Sequence, residues 1–100
     1  MTDLVQISHE ILIPNKLGLH IRASSQLVEV VNQFPAQVTF YHNDNQANGA
    51  SIMGILGLGA KKGSMLRIEI SAEEIQHADN CLQAIIALIN NHFGEDQATD

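Results

Sequence analysis

The chain of 100 residues offers one small core, and its 45% hydrophobic and 16% charged residues exclude a disordered chain. Eleven acidic against five basic residues give a net charge of −6, which argues against general nucleic-acid binding, because phosphate neutralisation needs Lys and Arg. Cys81 is the sole cysteine, so no internal disulfide forms, and no apolar run approaches the roughly 20 residues of a bilayer span.

Val5, Ile7, Ile11 and Ile13 fall on one face against Gln6, Ser8 and Glu10, which predicts a first strand over 4–13. Pro14, Asn15 and Gly18 punctuate the turn that follows. Ala23, Leu27, Val30, Val31 and Phe34 recur at three- and four-residue spacing, predicting an amphipathic helix over 21–33 that Pro35 blocks from continuing. Residues 36–42 alternate again through Val38 and Phe40, and Asn43-Asp44-Asn45 signals a hairpin into a short return strand over 46–49. Ser51 is a candidate N-cap for a short helix carrying Ile52, Ile55, Leu56 and Leu58, weakened by Gly54, Gly57 and Gly59 and ended by Gly63.

Leu66, Ile68 and Ile70 alternate with Arg67 and Glu69 as a last strand. Ser71-Ala72-Glu73-Glu74 matches a capping box, and Ile75, Ala78, Leu82, Ile85, Ile86, Ile89 and Phe93 form a long helical stripe. This order predicts an α+β fold in which helices cover one face of a four-stranded, mainly antiparallel sheet. The expectation is a single domain over 1–100 with a frayed acidic tail from about residue 95. The start lacks a signal-peptide pattern, and with the lone cysteine this gives the expectation of a cytoplasmic protein with no membrane insertion.

The charges are unevenly spread. Glu73, Glu74, Asp79, Glu95, Asp96 and Asp100 crowd the last third, whereas Lys16, Arg22, Lys61, Lys62 and Arg67 all come earlier. A locally basic face on an acidic protein, meeting an acidic partner, follows as an expectation.

His20 and Arg22 stand two residues apart where the glycine-bearing turn feeds the first helix. A helix N-terminus supplies unpaired N–H groups and the positive end of the dipole, so an anion is stabilised there. Neutral imidazole is a competent nucleophile near neutral pH. Arg22 offers a planar fork of donors to phosphoryl oxygens, and Gly18 would keep the approach to the ring open. Spacing alone leaves two readings of His20 open, an anion-handling nucleophile and a plain histidine near an N-cap. His9, His42, His77 and His92 show no metal-ligand spacing, so no metal site or cofactor is expected. His77 and Cys81 are four apart, but Cys81 beside Leu82 reads as a small buried hydrophobe.

Gly18-Leu19-His20-Ile21-Arg22 followed by Ala23-Ser24-Ser25 resembles the active-site signature of the HPr family, the histidine phosphocarriers of the bacterial phosphotransferase system. Asn48-Gly49-Ala50-Ser51-Ile52-Met53-Gly54-Ile55-Leu56 resembles that family's second signature, in register downstream. The resemblance implies an open-faced β-sandwich of four strands and three helices. It implies that His20 takes phosphate on Nδ1 from an Enzyme I-type phosphohistidine and passes it to an EIIA-type acceptor. Arg22 would orient the phosphoryl group, the backbone at Ala23 and Ser24 would complete the anion site, and Ile21, Ile52, Met53 and Leu56 would receive partners. Of these, Ile52 and Met53 are the pair expected to be exposed. A carrier of this kind needs no cofactor and no oligomer, so a monomer is expected.

The run Asn15-Lys16-Leu17-Gly18, Glu29, and the segment from Ala87 to Asp96 are similar to the nitrogen-branch carriers, NPr. Many sugar-branch members carry lysine where this chain has Glu29 and Asn32. The family usually places proline directly after the active-site arginine, and this chain has Ala23. Alanine is a good helix former, so the helix is expected to survive while the preceding loop gains freedom. Ser51 matches the serine that a dedicated kinase modifies in some members, and it equally suits a plain N-cap. A regulatory homologue that binds partners without relaying phosphate is a second reading, disfavoured by the presence of His20. A small ligand- or RNA-binding domain is a third, disfavoured by the acidic charge and by having only Phe34, Phe40, Tyr41 and Phe93 as aromatics.

Overall fold

The structure, a computed structural model, describes residues 3–95. Its elements run β1 (Val5–Leu12), α1 (Ile21–Val31), β2 (Ala36–His42), β3 (Asn45–Asn48), α2 (Ile52–Leu56), β4 (Met65–Ala72) and α3 (Ile75–Asn90). The sheet order is β1-β4-β2-β3 and every pairing is antiparallel. β4 is inserted between β1 and β2, so the first β-α-β unit is split and its two strands lie parallel to each other with β4 between them.

The period-two pattern explains why β4 takes a central place. Leu66, Ile68, Ile70 and Ala72 are buried on the helix side, while Met65, Arg67, Glu69 and Ser71 face the other way. α1 buries Ala23, Leu27 and Val31 at four-residue spacing, and α3 buries Ala78, Cys81, Leu82, Ile85 and Ile89. These stripes meet Phe40, Ile68 and Ile70 in one core, leaving the opposite sheet face without a helix. Burial pushes the Cys81 thiol up to about 11. Among the described residues, no helix is long and apolar enough to cross a membrane.

Four local expectations need correction. Ser71 does not cap α3: it lies in β4, and the N-cap is Glu74, which makes no side-chain cap hydrogen bond. The strand takes the serine because its backbone is paired with β1 and β2 at Gln6 and Gln37. Ile75, the first residue of the α3 stripe, is exposed, and the buried stripe starts one turn later at Ala78. α2 ends at Leu56 with Gly57 as C-cap, well before Gly63, so Leu58 is buried from a loop.

The fourth correction concerns the C-terminus. The tail expected to fray from residue 95 is ordered at Glu95, whose side chain is only 8% exposed. Residues 96–100 lie outside the described residues. After α3, His92, Phe93 and Gly94 adopt positive φ of 56°, 55° and 75°. Left-handed conformation costs a non-glycine residue about 1–2 kcal/mol. Burial of Phe93 to 2% exposure offsets that cost, and the reversal sets the Glu95 side chain against Asn15 of the β1–α1 loop.

Candidate functional site

The site is assembled by three segments remote in sequence. The β1–α1 loop is tied to the α2–β4 loop by Ile13 N–H to Ser64 O (2.9 Å), Gly63 N–H to Ile13 O (2.8 Å) and Leu19 N–H to Ala60 O (3.0 Å). The third segment is the C-terminal reversal ending at Glu95. The two loops and the start of α1 carry Lys16, Arg22, Lys61 and Lys62, four of the chain's five basic residues.

His20 is the N-cap of α1, with extended backbone (φ −74°, ψ 179°) and no side-chain bond to the helix. Its carbonyl accepts from Ser24 N–H at 2.9 Å, closing the first turn. Its ring is therefore free to bond elsewhere, and Nε2 lies 3.0 Å from Glu95 Oε2. An ionised carboxylate only accepts, so Nε2 carries the proton. In the neutral ring Nδ1 then keeps its lone pair, which makes it the nucleophilic nitrogen.

Glu95 is itself held by Asn15 and Leu17. Asn15 Nδ2 donates to Glu95 Oε2 (2.5 Å) and to Gly18 O (2.9 Å), and Leu17 N–H approaches Glu95 Oε1 at 3.5 Å. Both neighbours of the Asn15 amide are acceptors, which fixes the NH₂ toward them. Burial pushes the Glu95 carboxyl up, but the donors from Asn15, His20 and Leu17 outweigh it and hold the group below the ordinary carboxylate value. Sequence reasoning missed Asn15 and Glu95. Asn15 is fully buried although it reads as turn punctuation, and the one forward signal for Glu95 was an aromatic followed by glycine just past a long helix.

The other predicted residues divide. Arg22 is exposed at the second helical position, and Ile21 is 61% exposed beside it. Ala23 is the third helical residue, whose N–H has no partner within the helix, so proline there would break no helical hydrogen bond. Ser24 departs from expectation: its N–H is spent on His20 O, and its hydroxyl faces Leu19 O at 3.4 Å inside the protein.

Gly18 departs as well. It is buried with φ +65°, its N–H donates to Asn15 O (3.2 Å), and a Cβ there would meet Ala60 O at 2.6 Å. It allows the two loops to close on each other and does not open a path to the ring. Met53 is 69% exposed on α2, the helix packed against α1, whereas Ile52 and Leu56 are half-buried. Leu17, in the β1–α1 loop, is 64% exposed and was not anticipated. Ser51 caps α2, its Oγ accepting from Gly54 N–H at 2.9 Å.

Residues 7–91 match the family model described as the PTS HPr component phosphorylation site. The chain belongs to the HPr family. It is 37% identical over 90 residues to the phosphocarrier protein HPr of Xylella fastidiosa, covering 90% of this chain and 98% of that one. It is 33% identical over 92 residues to the phosphocarrier protein NPr of Shewanella violacea, covering 92% and 98%. Among solved structures, HPr-C-His from Thermoanaerobacter tengcongensis superposes with a TM-score of 0.80 at 30% identity, covering 90% of this chain and 98% of that one. The open-faced arrangement with its helices on one side is thus the HPr fold, as the motif resemblance implies.

Proposed function

We propose that this HPr-family chain is a histidine phosphocarrier in which His20 accepts a phosphoryl group from an Enzyme I-type phosphohistidine and donates it to an EIIA-type acceptor. The observation that carries the reading is His20 at the N-terminus of α1 with Nε2 tied to a carboxylate, which leaves the Nδ1 lone pair for attack. In the transfer the Nδ1 lone pair forms the new N–P bond as the donor's N–P bond breaks and its electron pair returns to the donor imidazole. The Nε2 proton stays in place throughout. Onward transfer is the same step with His20 as the leaving group, so the relay consumes no proton.

Developing charge on the phosphoryl oxygens would meet the helix dipole, the N–H groups of the first turn and the Arg22 guanidinium. Arg22 is exposed in the free protein, so its engagement belongs to the phosphorylated or partner-bound state. Leu17, Ile21 and Met53 would give the partner an apolar landing surface, with Ile52 and Leu56 at its margin. The surrounding Lys16, Lys61 and Lys62 favour an acidic partner. A kinase acting on Ser51 would add charge to the α2 cap beside this surface. The setting is cytoplasmic, where such donors and acceptors meet.

We assign the carrier to the nitrogen-related branch. Glu29 and Asn32 support this reading, because Glu29 is exposed on α1 and Asn32 at its C-cap, where a lysine-rich face would meet a sugar-branch donor. Incubation with phosphoenolpyruvate and either kind of Enzyme I should put an acid-labile, base-stable phosphate on the protein, faster with the nitrogen-branch donor, and His20→Ala should abolish it. No phosphate on the wild type would sink the carrier reading, and faster labelling by the sugar-branch donor would move it to that branch.

A further inference from the structure

We propose that Glu95 is the positioning residue of this site: by accepting the Nε2 proton of His20 it locks the imidazole in the tautomer that leaves Nδ1 nucleophilic, and it balances the charge that the ring acquires when Nδ1 is phosphorylated. The inference rests on the carrier reading above but has an observable of its own.

The geometry is a built one. The carboxylate reaches His20 from 75 residues further along the chain and is only 8% exposed. Asn15, wholly buried, points its amide at the same Oε2, and Leu17 N–H faces Oε1. To bring Glu95 there the chain adopts three consecutive left-handed residues anchored by the Phe93 side chain. A single left-handed residue after the C-cap Asn91 is an ordinary helix ending, but here the run continues through Phe93 and Gly94 to Glu95.

The chemistry follows from the protonation pattern. A neutral imidazole forming a bond at Nδ1 while keeping its Nε2 proton becomes cationic at the ring. A carboxylate on Nε2–H stabilises that charge, and buried carboxylates do the same for imidazoles that act as bases in acyl transfer. The Nε2 proton also ensures that phosphate leaves from neutral imidazole and not from imidazolate.

Nitrogen-resolved NMR of the His20 ring, at a pH where it is neutral, separates the two parts of the proposal. The wild type should show the Nε2–H tautomer, and Glu95→Ala should lower the ratio of Nε2–H to Nδ1–H about tenfold, the worth of one charge-assisted hydrogen bond. Glu95→Gln keeps an acceptor at the Oε2 position and should keep the tautomer, yet accept phosphate about tenfold more slowly, because the charge is gone. Should Glu95→Ala fail to fold, the isosteric Gln variant decides by its rate. A wild-type ring protonated on Nδ1, an unchanged tautomer ratio in Glu95→Ala, or wild-type acceptance rates in both variants would overturn the proposal. Absence of phosphate on wild-type His20 would overturn the carrier reading instead, while the tautomer ratios would still decide the role of Glu95.

Discussion

Two carboxylates in this chain gather donors, and their surroundings end in opposite chemical states. On the open sheet face, Glu69 accepts from the Tyr41 hydroxyl (2.9 Å), from Arg67 Nη1 and from Gln6 Nε2 (3.4 Å), with the guanidinium stacked 3.9 Å over the Tyr41 ring. At the other end, Glu95 accepts from Asn15 and His20. Arg67 has donors only, so its pairing with Glu69 ends in saturation. The His20 ring keeps a lone pair on the nitrogen that the carboxylate does not touch. What separates a structural cluster from a reactive one here is the valence left over after pairing, since both have a carboxylate and several donors.

Removing the anchor of the reactive end should have the largest effect. Phe93→Ala deletes an aromatic side chain that is 2% exposed, and a loss of about 3–5 kcal/mol in urea unfolding is expected. In the surviving folded fraction the His20 ring resonances should lose the signature of the Glu95 bond, while those of Tyr41 should stay put. A shift at Tyr41 as large as that at His20 would mean the two ends are not independent.

Next comes the pair Gly18→Ala and Gly59→Ala. Both glycines have positive φ (+65° and +66°), so each alanine variant is destabilised by the roughly 1–2 kcal/mol that left-handed backbone costs a residue with a Cβ. Only at Gly18 does the added Cβ also meet backbone, Ala60 O at 2.6 Å and Lys61 Cα at 2.8 Å, while nothing lies within 4 Å at Gly59. Gly18→Ala should therefore be the more destabilising and should slow phosphate acceptance by pushing the two loops apart. Equal losses at the two positions would remove the loop-closure argument.

Acid should weaken both ends in the same direction. Glu95 and Glu69 are both held below their ordinary value in the folded protein, so the unfolded chain binds protons first as pH falls. Their contributions are complete above the unfolded carboxylate range, near about pH 4.3, and fade as pH drops through the lowered folded values. Unfolding free energy measured from pH 6 downward should decline, and Glu95→Gln and Glu69→Gln should each flatten part of that decline (about one titrating group apiece). A slope unchanged in both variants would deny these groups the role.

The two ends also differed in how far they could be read beforehand. For the sheet cluster, alternation alone separates Thr39, Tyr41, Arg67 and Glu69 from Val38 and Phe40, while the register that sets Thr39 opposite Glu69 and Tyr41 opposite Arg67 is seen only in the folded sheet. The strands, the α1 stripe and the Ser51 cap were legible for the same reason, because each depends on neighbours at fixed short spacing. His20 and Arg22 were legible as a pair at a helix start. Asn15 and Glu95 were not, since their meeting depends on a 3D reversal after α3 that no periodicity encodes. Ser71 misled in the opposite way: a motif of correct spacing lost to strand pairing on both sides. Gly18 showed its position and not its purpose, because the backbone it meets belongs to a loop more than forty residues away.

The smallest effect gives the cleanest contrast. Tyr41 is the chain's sole tyrosine, so ultraviolet titration reports it without ambiguity. Its hydroxyl donates to Glu69, which raises its ionisation above the ordinary tyrosine value, with burial and the Glu69 charge adding to the shift and Arg67 opposing it. A raised folded value means that the stabilisation is intact below the unfolded tyrosine pKa, near about 10, and is lost as pH rises through the folded value. Glu69→Gln removes the anionic acceptor but leaves Arg67 over the ring, so the titration should move down, toward or below the ordinary value. Glu95→Gln should leave it unmoved, since Glu95 bonds to Asn15 and His20 at the β1–α1 loop, whereas the Tyr41 hydroxyl bonds to Glu69. If Glu69→Gln left the Tyr41 titration in place, saturation by pairing would not describe the sheet face, and the contrast with the His20 end would lose its reference.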